Sequence, residues 1–311
     1  MKIQSLILVI VACLIIGCKK DNLYSDFQIQ RFDTDYFRYI TGNIPMDSLQ
    51  KYHPFLEDYL QKVISEDTDF SDSTLMQIYQ DEQRLFANIS GLQREIAAGM
   101  QQLLQNFPQL SEPQVYIHVS GWNQHVVAGE NYVSLSADYY LGADYPLYRA
   151  FFYDYQLAQM TQERMAPDLF LGFLMSEFPF RGKESALLDK MLYEGKLRYI
   201  LSKILPERKA WEYTAYTQEQ YEWCRHNQSR IWKTILEKQH LFRSDYTTTM
   251  QYLREAPYTA TLPVESPGRV GVWLGFQIIS AYMKQNPQTA WPALMNENDY
   301  LLILRESKYR P

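Results

Sequence analysis

The sequence predicts an α+β fold, predominantly helical with a small antiparallel sheet, and three observations lead there. Apolar residues recur at three- and four-residue steps in long stretches before and after the middle of the chain, the period of helices with one buried face. Between those stretches, residues 115–141 switch to a period of two and turn at Gly129-Glu130-Asn131, as strands joined by a hairpin do. Helices, then a short meander, then more helices is the order of an α+β domain rather than of a doubly wound sheet. The 311 residues are 46% hydrophobic and 15% aromatic, with 25 tyrosines against 6 tryptophans, enough for one sizeable core. No repeat, low-complexity tract or Pro/Gly-rich linker divides residues 27–311, so a single domain is expected there.

The chain opens with Lys2, runs apolar from Leu6 to Ile16 and reaches Gly17-Cys18 before turning polar at Lys19. That run is too short to span a bilayer and has the form of a signal-peptide core. Its ending, a small residue directly before a cysteine, resembles a bacterial lipoprotein box, which makes Cys18 the expected lipidated residue and mature N-terminus. The expected organisation is a signal peptide over 1–17, a lipidated N-terminus and short tether over 18–26, and the domain over 27–311. Acyl chains add about 0.8 kcal/mol of membrane affinity per buried methylene. Lys19 to Asp26 reach roughly 27 Å when fully extended, so the domain is expected to work close to its membrane. With Cys13 in the signal segment and Cys18 lipidated, Cys224 has no intramolecular partner and reads as a small buried hydrophobe.

Within the domain, residues 27–32 alternate weakly as a strand. Residues 47–64 read as a helix with Asp47 as N-cap and a break at Pro54. The stripe Leu85, Ile89, Leu92, Ile96, Leu103 and Phe107 predicts one long amphipathic helix over 73–107. Val115, Ile117 and Val119 alternate with Tyr116, His118 and Ser120 as a strand, and the hairpin follows. Beyond Gly142 the pattern is helical except for the loop that ends at Arg269. Thr217 with Gln220 forms a capping box ahead of the stripe Tyr221, Cys224, Ile231 and Ile235. Ser266 with Pro267 marks another helix start, and Gly271 and Gly275 share a side of that helix where a second backbone can approach.

The charge of −6, with lysines and arginines scattered, gives no basic face for nucleic acid. The five histidines form no H-E-x-x-H pair, there is no G-x-S-x-G elbow and no phosphate-binding glycine loop; no catalytic set, metal site or cofactor is expected. The tyrosine excess reads as a core with hydroxyls at its margin, or alternatively as glycan stacking. One residue pair stands out. Glu194-Gly195 interrupts the apolar run 187–201, where an interior glycine costs about 1 kcal/mol relative to alanine. Lys190 and Arg198, each four residues away, account for Glu194 as a surface ion contact; Gly195 implies close packing or a kink. Arg269, in the first turn of the helix expected at Ser266, is the second candidate contact, either for a carboxylate of a partner or internally for an acid such as Glu265.

The segments "DKMLYEGKLRYIL", "YTQEQYEW", "APYTATLPVESPGRVGVWLGFQIISAYM" and the final "SKYRP", in that order behind the lipobox, resemble the gliding-motility lipoprotein family GldB of the Bacteroidetes, as do "IQRFDTDYF" and "VSLSADYYLG". The resemblance covers essentially the whole mature chain. It implies a non-catalytic cell-envelope lipoprotein, in the outer rather than the inner membrane, that assembles or stabilises a gliding or type IX secretion machine through other envelope proteins. More distantly, the order strand, hairpin, helix and Glu-Gly helix is similar to zincin metallopeptidases, which implies a zincin-like single domain lacking H-E-x-x-H with Glu194 at the third-ligand position. The alternatives are an atypical hydrolase using such a cleft on peptide or cell wall, and a glycan-binding surface lipoprotein.

Overall fold

The computed structural model describes residues 27–64, 72–181 and 186–311; Cys18 and the rest of the expected signal peptide and tether lie outside them. Strand β1 (Ile29–Arg31) runs straight into α1 (Phe32–Ile40). A 3-10 turn at Met46–Tyr52 follows, without a side-chain cap from Asp47, and then α2 (Phe55–Asp58), prolonged by a π turn to Val63. Pro54 stands at the break the sequence marks.

The single helix expected over 73–107 is two, α3 (Ser73–Leu85) and α4 (Ser90–Asn106). Asn88 causes the interruption: its side chain accepts a hydrogen bond from the Ser90 N–H at 3.0 Å, a local turn that competes with the helical ladder. Leu85, part of the apparent stripe, is consequently 42% exposed.

Strands β2 (Gln114–His118), β3 (Val126–Gly129) and β4 (Tyr132–Ser136) complete a four-stranded sheet of order β1-β2-β4-β3. The α+β class and helical predominance hold, but the sheet is mixed rather than antiparallel. β1 and β4 both run parallel to β2, and only the β3–β4 hairpin is antiparallel. The reason lies in the loop after β2, which carries the chain past the β4 position so that the hairpin returns with β4 inside and β3 at the edge. Buried Asp138 pins that loop. Its carboxylate accepts from the backbone N–H of Ser120 (3.1 Å) and Trp122 (3.0 Å) and from the Ser136 hydroxyl, while Gly121 and Trp122 take left-handed conformations.

One face of the sheet carries an aromatic layer in which Phe32, Tyr36, Tyr52, Phe55, Tyr59, Tyr116 and Tyr132 pack together. Edge-on ring contacts dominate, such as Phe32 with Tyr59 at 4.7 Å, and the hydroxyls reach partners at the margin: Tyr59 donates to the Val119 carbonyl at 2.7 Å and Tyr52 to Asp35 at 2.8 Å. Tyrosine suits this position because its ring is apolar and its tip polar. His118 is buried among Phe55 and Tyr59, and burial pushes it down to about 3, so it is a neutral core histidine.

The main core lies on the other face. After the short α5 (Asp154–Leu157) come α6 (Met165–Glu177) and α7 (Leu187–Ile204). Helices α8 (Gln218–His226) and α9 (Gln228–Glu237) follow, the former with the expected Thr217–Gln220 capping box. Then come α10 (Tyr246–Leu253), α11 (Val270–Gln285), α12 (Trp291–Asn296) and α13 (Tyr300–Ser307). Cys224 is fully buried beside these helices and its thiol is pushed up to about 12 by burial. At the centre α7 and α11 touch backbone to backbone. A Cβ on Gly195 would sit 2.3 Å from the Gly275 carbonyl, and one on Gly275 1.8 Å from the Met191 oxygen. Helix α7 is continuous through Gly195, so the glycine serves close packing and not a kink. Among the described residues, no helix is long and apolar enough to cross a membrane.

Candidate functional site

A cleft of about 500 Å³ opens between edge strand β3 and helix α6. Residues Asp168, Leu171, Gly172 and Met175 of α6, at helical spacing, form one wall, and Val126 and Ala128 of β3 form the other. Gly172 sets the separation: a Cβ there would lie 2.4 Å from the Val126 Cγ1. His125, stacked on Tyr139 with ring centroids 4.9 Å apart, stands at the end of β3. Arg198 of α7, with Glu255 and Arg269 of the loop before α11, completes the lining.

The loop delivers Arg269 by construction. Thr259 donates from its backbone N–H to the Ser266 Oγ (3.2 Å) and from its hydroxyl to the Pro267 carbonyl (2.8 Å), and Tyr216 donates to the Gly268 carbonyl at 2.6 Å. Gly268 lies so close to Ala256 that a Cβ would meet its carbonyl oxygen at 2.3 Å. The helix start expected at Ser266 is therefore displaced. Ser266 is committed to Thr259, α11 begins at Val270, and Arg269 itself occupies the N-cap in a left-handed conformation, φ 59°. A non-glycine residue held there is strained; its side chain lines the cleft, where Nη1 lies 3.3 Å from Glu255 Oε1. The internal partner is Glu255, not Glu265.

Two further arginines lie behind Arg269. Arg164 bonds Asp168 on one side and the Glu212 carbonyl at 2.5 Å on the other, while Tyr140 donates to Asp168 at 3.2 Å. Arg198 is different. It is 5% exposed, and the acid in contact with it among the described residues is Glu194, with Nη1 3.0 Å from Oε2. That approach is out of alignment: neither Nε nor Nη1 of Arg198 has a hydrogen-bond partner among the described residues. Burial pushes the guanidinium down to about 10; Glu194 and, more weakly, Asp168 oppose the shift, while Arg269 and Arg164 add to it. It is charged at neutral pH, and each buried donor left unmade costs about 1–3 kcal/mol.

Of the candidates named from sequence, Arg269 lines the cleft directly. Glu194 does not; it reaches the cleft only through Arg198, and the expected ion contact forms with Arg198 buried and the Glu194 side chain 23% exposed. Lys190 turns instead toward the Thr249 hydroxyl at 3.4 Å. Gly195 points away, into the α11 contact. Sequence reasoning missed Arg198 as a site residue although a signal was present: it shares a helix face with Leu187, Met191 and Leu201, all buried, where a cation is out of place unless a partner or ligand meets it. Asp168 and Gly172 gave no signal because α6 is apolar on nearly every side.

The donor set does not fit the zinc that the zincin likeness implies. Glu194 is held against a guanidinium, Asp168 against another, and the cleft offers one imidazole where a catalytic zinc takes three protein ligands. Among the described residues, no group of three or more His, Cys, Asp or Glu is placed to hold a metal ion. No curated protein and no solved structure matches the chain. The family model described as gliding motility protein GldB matches residues 19–311. Two of the segments that carried the resemblance, residues 189–201 and 256–283, are the ones that bring Arg198 and Arg269 to the cleft. The chain belongs to the GldB gliding-motility family.

Proposed function

We propose that this protein is a lipid-anchored, non-catalytic envelope component of a gliding or secretion-related machine, acting by contact through the cleft. The observation that carries the reading is the chemistry of the cleft lining. Its acids are each held by a guanidinium, and its deepest charged group is an arginine, a residue that binds anions and does not transfer protons at neutral pH. The family supports the gliding context, and the lipobox supports Cys18 as the anchor. A descendant of a zincin-like fold that has lost its imidazoles fits the same set of residues. The outer membrane is the proposed location, with a tether short enough to keep the domain at the lipid surface.

Full-length acylated protein, solubilised from envelopes after crosslinking in cells, is expected to bring down a reproducible envelope partner, to contain no stoichiometric zinc and to cleave no peptide library. Peptide turnover by the purified protein would instead support the hydrolase reading.

A further inference from the structure

We infer that the cleft receives an extended peptide segment of a partner protein, adding as a strand to β3 and placing one carboxylate on Arg198. This deepens the proposal of action by contact and rests on it. Two independent features of the cleft call for the two halves of such a ligand.

The first is the strand edge. In an antiparallel pair, facing residues alternate between bonding each other and pointing their N–H and C=O groups outward. His125 accepts from the Ser136 N–H at 2.9 Å, which sets the phase. By the β3–β4 register, Val127 opposite Ser134 and Gly129 opposite Tyr132 then bond inward. Val126 and Ala128 point outward, and they are the two residues of β3 that line the cleft. No described segment pairs with their outward groups. An open edge of this kind is a template for an added strand.

The second feature is Arg198. A buried guanidinium whose Nε and Nη1 make no aligned hydrogen bond, with Glu194 off-axis 3.0 Å from Nη1, has donor capacity left for the charge-assisted bonds of a ligand carboxylate. Arg164 is already filled by Asp168 and the Glu212 carbonyl, so it does not compete. The acids at the cleft do not repel the ligand freely: Asp168 is neutralised by Arg164 and Glu255 by Arg269, and the ligand carboxylate would share Arg198 with Glu194, 3.0 Å from Nη1. The carboxylate has two possible sources, the end of a chain or an Asp or Glu side chain.

Fluorescent Val/Thr hexapeptides titrated against the full-length protein in detergent test this. Three peptides are compared: one with a free C-terminus, one amidated with an internal Asp, and one amidated without an acid. At least one acidic peptide is expected to bind ten-fold or more tightly than the neutral one, and which of the two does so identifies the source. Arg198→Gln is expected to erase the difference between acidic and neutral peptides. Ala128→Pro removes one outward donor without touching the β4 ladder and is expected to weaken every peptide while leaving inorganic phosphate unaffected. Equal binding of acidic and neutral peptides overturns the inference. So does phosphate displacing peptide in a protein indifferent to Ala128→Pro, which marks a simple anion pocket, and so does absence of peptide binding at millimolar concentration. If Arg198→Gln fails to fold, the peptide comparison on the unaltered protein and Ala128→Pro decide. Peptide failure with an intact crosslinked partner sinks only this inference; loss of the partner itself sinks the contact reading beneath it.

Discussion

Glu194 and Arg198 illustrate how a single pair changes meaning with depth. At the surface such an i,i+4 contact contributes a few tenths of a kcal/mol; here the arginine is 5% exposed and, among the described residues, Glu194 is its only counter-charge in contact. Glu194→Gln is therefore expected to lower stability by about 2 kcal/mol, read as a shift of the urea midpoint. Arg269→Ala, whose partner Glu255 is 44% exposed on its side chain, is expected to change stability by less than about 1 kcal/mol. Another buried cation, Lys196, donates to the Glu297 carbonyl and lies 4.8 Å from the Tyr300 ring centre. Burial lowers it from 10.5 to about 8. The unfolded chain then binds the extra proton between those values, so stability is expected to rise with pH from about 8 upward, by at most about 1.4 kcal/mol per unit. Lys196→Met should flatten that rise. A slope of the opposite sign in urea titrations between pH 8 and 9.5 would contradict the burial of Lys196.

At the level of elements, the α7–α11 crossing is the most exacting contact in the fold. Gly195→Ala places a methyl 2.3 Å from the Gly275 backbone, where no flexible side chain can give way, and is expected to cost about 3 kcal/mol. Gly172→Ala meets the Val126 side chain instead, so it is expected to cost less and to narrow the cleft. Differential scanning calorimetry of the two variants ranks them. The sequence made this crossing legible in both halves, because an interior glycine in α7 and a pair on one side of α11 have few other uses. It also showed the hairpin, the Thr217 capping box, the buried Cys224 and the tyrosine core. Boundaries set by side-chain turns were not legible. Asn88 divides α3 from α4, and Ser266 turns away to Thr259, and neither choice is visible in periodicity. Alternation predicts an antiparallel sheet but reports only which faces are buried and not which strand lies beside which; the Asp138-pinned loop decides that.

Across the whole molecule, the residues at the cleft come from parts of the chain far apart in sequence, β3, α6, α7 and the loop before α11. Spacing arguments brought Glu194 and Arg269 forward separately, but they could not show that both attend one cleft or that Arg198 lies between them. The proposed anchor at Cys18 and the cleft together define how the protein would act: the lipid confines it to a surface, and the cleft engages what passes there. Cys18→Ser is expected to move the protein out of the membrane fraction and to abolish incorporation of labelled palmitate.

Site-specific photocrosslinking in cells tests the central claim most directly. A photoreactive residue at Met175, 45% exposed on the cleft wall, is compared with one at Leu301, 59% exposed and outside the cleft. Action by contact through the cleft predicts a discrete adduct with an envelope protein from position 175, absent from position 301 and lost when Cys18 is replaced. Equal adducts from both positions, or none from 175 while the acylated protein remains functional, would contradict it.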